Sequence, residues 1–100
     1  MVEKQTTQGR LAQFMLKEPS MYNVIMHNDD ITTMDFVVMI LQKVFRKTEE
    51  DAVALMQKVH FEGMGVAGTY YKDIADSKAK YAMRMARERQ FPFLLTVEEA

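Results

Sequence analysis

Apolar positions along this chain fall into discrete blocks, and the spacing within each block differs. Met21 to His27 is mostly apolar and carries β-branched Val24 and Ile25, which reads as a strand. After the polar trio Asn28-Asp29-Asp30, helical spacing begins. Thr32 or Thr33 is placed to cap a helix, with Asp35 in the first turn, where it suits the dipole. Met34, Val37, Val38, Leu41, Val44 and Phe45 form its expected buried stripe, and Arg46 and Lys47 close it. Thr48-Glu49-Glu50-Asp51 opens a second helix with Ala52, Leu55, Met56 and Val59 on its apolar face, ending near His60 before Gly63.

The glycine-rich run from Gly63 to Thr69 reads as a strand whose backbone packs closely against a neighbour. A third helix is expected from about Tyr71 to Arg89. Ile74, Tyr81 and Met85 lie on one side of it, and Ala75, Ala79, Ala82 and Ala86 form a small-residue ridge nearby. Pro92 stops any helix, and alternation of Phe93, Leu95 and Val97 with Leu94, Thr96 and Glu98 predicts a final strand. The order is β-α-α-β-α-β. The fold class is therefore α+β, with three antiparallel strands packed with three helices.

One domain is expected over residues 20–100. Residues 1–19 read as a flexible N-terminal extension, polar until Leu11, with a weak apolar patch at Leu11, Phe14, Met15 and Leu16, and closed by Pro19. With 100 residues, 48% hydrophobic and 27% charged, the chain has the composition of one small globular domain. A net charge of -1 lacks the basic excess of a general nucleic-acid surface. No cysteine is present, which excludes disulfide scaffolds, zinc-thiolate sites and cysteine nucleophiles. The longest apolar run, Phe36 to Leu41, is too short to span a membrane. The expectation is a soluble cytoplasmic monomer with no cofactor.

Candidate chemistry centres on Asn28-Asp29-Asp30. A polar knot between two apolar elements is either a turn with capping residues or a site. Two acids and an amide at the mouth of an apolar groove suit a cationic amine on an apolar body. Enzyme readings are less well supported. His27, His60 and the Asp pair could serve a small metal-assisted hydrolase, but no His-x-x-x-His spacing appears and adjacent Asp side chains diverge. The only serines are Ser20 and Ser77, neither in a nucleophile elbow. The glycines match neither phosphate-loop nor dinucleotide spacing. A plain protein-interaction domain of the ribosomal-stalk type is a third reading.

Beyond single motifs, the pattern from Pro19 onward resembles the ClpS family, adaptors that deliver N-degron substrates to the Clp unfoldase-protease. The resemblance lies in Pro-Ser-Met-Tyr at 19–22, Asn-Asp-Asp at 28–30, Thr32 and Met34-Asp35-Phe36-Val37. It continues through Leu55-Met56, Val59-His60, the strand from Gly63 to Gly68, Ala75 with Lys78, and Pro92 followed by Leu94. It implies a non-enzymatic adaptor that binds proteins beginning with Leu, Phe, Tyr or Trp. Asn28, Asp29 and His60 would hold the α-amino group. Met34, Val37, Met56, Val59 and Phe93 would line the side-chain pocket, with Met34 as gatekeeper against β-branched residues. Asp30 and Thr32 would support the loop. Asp73 and Lys78 fall at the expected contact with a Clp AAA+ unfoldase of ClpA or ClpC type, and residues 1–19 would be an arm that the unfoldase engages. The chain departs from the family pattern at Ile31, where an aromatic is common, at Thr33, where proline is common, and at Phe93, where leucine is common. A larger Phe93 is expected to narrow the pocket.

Overall fold

The computed structural model describes residues 20–100. The readings made for residues 1–19 lie outside the described residues. The elements are β1 (Met21–His27), α1 (Met34–Lys43), α2 (Glu49–Glu62), β2 (Met64–Tyr71), α3 (Lys72–Glu88) and β3 (Leu94–Glu99). This is the β-α-α-β-α-β order expected from periodicity.

β1 is the central strand, flanked by β2 and β3, both antiparallel to it. Its apolar run explains the placement, since a middle strand buries both faces: Val24, Ile25 and Met26 are all buried. On one side His27 pairs with Met64, and on the other with Leu94. The register with β2 slips between Val24 and Ile25, whose partners are Gly68 and Val66. Ala67 is left as the extra residue of a bulge.

α3 lies across all three strands. Its alanine ridge, Ala75, Ala79, Ala82 and Ala86, is the buried face. Small side chains let the helix axis approach the sheet, while Ile74 and Tyr81 remain exposed. α1 and α2 pack on each other, and α2 also packs on β2. Gly65 marks that approach: a Cβ there would lie 3.0 Å from both Leu55 Cδ1 and Val59 Cγ2. The close packing expected of the glycine-rich strand is therefore against α2.

One expectation is corrected. The buried face of α1 is Phe36, Ile40 and Leu41, continued by Val44 and Phe45 beyond the helix. Met34 is 58% exposed, and Val37 and Val38 are half-buried. An unbroken apolar run offers several helical stripes, and the one chosen puts the Phe36 ring in the core. α1 also ends earlier than expected, at Lys43. Arg46 follows in the left-handed region (φ +61°), and the Lys47 N–H bonds back to the Leu41 carbonyl at 3.0 Å.

Candidate ligand-binding site

The polar trio connects β1 to α1, and its middle residue organises the loop. The Ile31 N–H donates to Asp29 Oδ1 at 2.8 Å and the Thr32 N–H donates to the same oxygen at 2.6 Å. The Thr32 hydroxyl donates to Oδ2 at 2.8 Å. This commits Thr32 to the loop, so the cap of α1 falls to Thr33, whose hydroxyl accepts from the Phe36 N–H at 3.2 Å. Partial burial works against ionisation of Asp29. The Thr32 amide and hydroxyl, the Ile31 amide and the charge of Arg87 outweigh it and hold the carboxyl below its ordinary value. A carboxylate offers about four lone-pair directions, so these three donors leave room for another.

Asn28 and His60 reach the same place from different elements. The Asn28 N–H donates to the Gly63 carbonyl at 2.9 Å, which ties the loop to the end of α2. Gly63 ends that helix with φ +93°, a conformation that glycine adopts without penalty. His60 lies one turn earlier, exposed, with its ring edge-on to Phe61 at 5.2 Å.

Beneath these groups is a cavity of about 150 Å³. Asn28, Asp29, Asp30, Thr32 and His60 form its polar lining, and Met34, Val37, Met56, Val59 and Phe93 its apolar lining. An apolar cavity of about this volume accommodates benzene in other proteins. Phe93 is 1% exposed and is held edge-on against Phe36, with centroids 5.8 Å apart. Phe36 also meets Phe91 at 5.2 Å, so an aromatic cluster backs the floor. Among the described residues no three of His, Asp and Glu converge as a metal-ligand set. The His27 Nε2 and Thr96 Oγ1 atoms are hydrogen-bonded at 2.7 Å. The residues proposed for metal-assisted hydrolysis are therefore not arranged as ligands.

The remaining expected residues lie elsewhere. Asp73 is exposed in the first turn of α3, and its Oδ1 accepts from the Ile74 N–H at 2.9 Å. Lys78 is half-buried. Its Nζ donates to the Val44 carbonyl at 2.7 Å and stands over the Tyr70 ring at 5.2 Å, so it anchors the end of α1.

A family model described as "ATP-dependent Clp protease adaptor protein ClpS" matches residues 17–96. A ClpS adapter of Lawsonia intracellularis is 44% identical over 98 residues, covering 98% of this chain and 90% of the relative. The chain belongs to the ClpS family. A ClpS adapter of Burkholderia cenocepacia is 48% identical over 88 residues, covering 88% of this chain and 85% of the relative. Among solved structures, Agrobacterium tumefaciens ClpS2 bound to L-phenylalaninamide superposes with a TM-score of 0.80 at 36% identity, covering 83% of this chain and 100% of that one. This ClpS chain is thus a Clp protease adaptor by family, and its fold is that of a solved ClpS.

Two residues that bear on the cavity of this ClpS chain, Met26 and Arg87, were not singled out from sequence. Met26 lines it, and so does His27, which the sequence suggested only for a metal site. Their position just before Asn28 at the end of a strand was the available signal. Arg87, 58 positions after Asp29, bears on that carboxyl with no sequence pattern to link the two.

Proposed function

We propose that this ClpS-family chain binds the free α-amino group and bulky apolar first residue of N-degron proteins and delivers them to a Clp unfoldase-protease. The observation that carries the reading is the division of one cavity into a polar mouth and an apolar floor. Asp29 supplies the charge opposing an α-ammonium. Asn28 accepts through its amide oxygen and His60 through a neutral ring nitrogen. Charge-assisted bonds of this type contribute about 1.5–3 kcal/mol each. Met34, Val37, Met56, Val59 and Phe93 take the side chain, whose burial contributes roughly 1.5–3 kcal/mol. Asp30 and Thr32 shape the loop.

L-phenylalaninamide, the ligand of the related ClpS2, has the chemistry of a first residue: an ammonium, a benzyl group and an amide in place of the next peptide bond. An acetylated amine would bring no charge to Asp29, so the carboxylate would be further desolvated with no ligand cation to compensate. The role is recognition and handover, without catalysis, cofactor or metal. The chain acts as a cytoplasmic monomer, meets a ClpA- or ClpC-type unfoldase through the surface that includes Asp73 and Lys78, and offers residues 1–19 as an arm.

The test is a titration with three peptides that differ only at the amino terminus: free Phe-first, N-acetylated Phe-first and free Val-first. The first binds, and the other two bind far more weakly. Equal affinity for free and acetylated peptides would overturn the reading.

A further inference from the structure

We infer that Arg87 is a positioning residue for this cavity, tying the segment that carries Phe93 to the last turn of α3. The segment between α3 and β3 has little regular structure of its own. It leaves the helix through Gln90, which is left-handed at φ +63°, and passes Pro92, which has no N–H to donate. Two donors of Arg87 replace what is missing there. Its Nη1 donates to the Phe91 carbonyl at 2.9 Å and to the Phe93 carbonyl at 2.8 Å. Those carbonyls bracket Pro92, so one guanidinium nitrogen holds both ends of the turn. The Phe93 ring continues into the cavity floor and packs edge-on to Phe36.

The same guanidinium acts on the other end of the cavity. Its positive charge helps hold the Asp29 carboxyl ionised. The other titratable groups lining the cavity are His27, Asp30 and His60. Arg87 thus fixes the ring that meets a ligand's side chain and biases the carboxylate that meets its amine. Arg87 is not among the residues that line the cavity. A lysine would keep the charge but would replace the rigid, planar guanidinium, which fixes the directions of the two Nη1 N–H groups, with an ammonium on a shorter, flexible stem.

The inference rests on the N-degron reading, and the experiment separates the two. Phe-first and Leu-first peptides, free and acetylated, are titrated against the parent, Arg87→Gln and Arg87→Lys from about pH 4 to about pH 8, with the folded fraction followed by circular dichroism. If the parent fails to distinguish free from acetylated peptide, the N-degron reading falls and takes this inference with it. If it does distinguish them, Arg87→Gln is expected to bind roughly tenfold more weakly per folded molecule. Its Phe-to-Leu preference changes, and its loss of binding in acid begins at higher pH. Arg87→Lys is expected to restore the acid limb but not the Phe-to-Leu preference. The inference is overturned if both variants match the parent in preference and acid limb per folded molecule. It is equally overturned if Arg87→Gln loses binding only in step with its folded fraction while Arg87→Lys behaves as the parent.

Discussion

Thr32 donates to Asp29 twice, from its amide at 2.6 Å and from its hydroxyl at 2.8 Å. The acid proposed to meet the ligand's amine is therefore also the acid that builds the loop, and substitutions can separate the two roles. Asp29→Asn keeps an acceptor for the loop but removes the charge. It should weaken binding of a free Phe-first peptide by roughly tenfold or more. Thr32→Val removes the hydroxyl bond and leaves the charge, so its loss should be smaller. Peptide titration measures both, and an Asp29→Ala variant as strong as the parent would remove the role given to this carboxylate.

Acid should destabilise the fold partly through the same residue. In the folded chain the Asp29 carboxyl sits below its ordinary value, because its hydrogen bonds and Arg87 outweigh partial burial. Such a group stabilises the folded state fully above the unfolded carboxyl's pKa of about 3.9, and that contribution disappears as pH falls through the folded value. The thermal midpoint of the parent should fall below about pH 4, and Asp29→Asn should show a shallower decline. An unchanged slope in the variant would refute the assignment.

Met34 is 58% exposed at the rim of the cavity, so truncating it should cost little stability. Met34→Ala should instead widen the entrance and admit β-branched first residues. The preference for Leu-first over Val-first peptides should shrink by roughly tenfold, the discrimination that a methylene-scale difference in an apolar site supports. Competition binding with the two peptides measures it.

Phe93 should behave in the opposite way, since its ring is almost wholly buried. Phe93→Ala should cost about 3–5 kcal/mol in denaturant unfolding, combining lost burial with a cavity against Phe36. Phe93→Leu should cost less and deepen the floor, shifting preference from Leu-first towards Trp-first peptides. A ranking identical to the parent's would show that this ring does not limit the pocket.

Lys78 and Asp73 should separate fold from contact. Removing the Lys78 bond to the Val44 carbonyl leaves a helix-end acceptor unpaired, and Lys78→Ala should lose about 1–2 kcal/mol of stability. Asp73→Ala, on an exposed turn, should stay within about 0.5 kcal/mol. Unfoldase binding by Asp73→Ala is therefore the cleaner test of that surface, and unaltered binding would take Asp73 out of the interface.

Much of this architecture was legible in the sequence because local signals agreed. Thr48 caps α2 as read, Gly63 ends it, Pro92 lies between α3 and β3, and β1 spans the expected apolar run. The face of α1 was misjudged because Phe36–Leu41 is apolar all round, so only tertiary packing could choose the stripe. Met34 and Val37 then reach the cavity because they lie off that stripe. The trio at 28–30 could be recognised as polar and misplaced, but the sharing of Asp29 between loop and cavity depends on Thr32 closing three residues later. Arg87 was invisible for a plainer reason. Its bonds go to backbone carbonyls, and a carbonyl has no residue identity to read.

The 2.9 Å bond from the Asn28 amide to the Gly63 carbonyl has an evolutionary consequence. That bond, together with the Ile31 and Thr32 amides on Asp29, ties the loop at the mouth of the cavity to the main chain, while the surface of its floor is apolar side chain. On the N-degron reading, methionine, valine, leucine or phenylalanine can be exchanged beneath the mouth while Asn28, Asp29 and His60 keep the demand for a bare amino terminus, so preference among first residues changes more freely than recognition of the terminus.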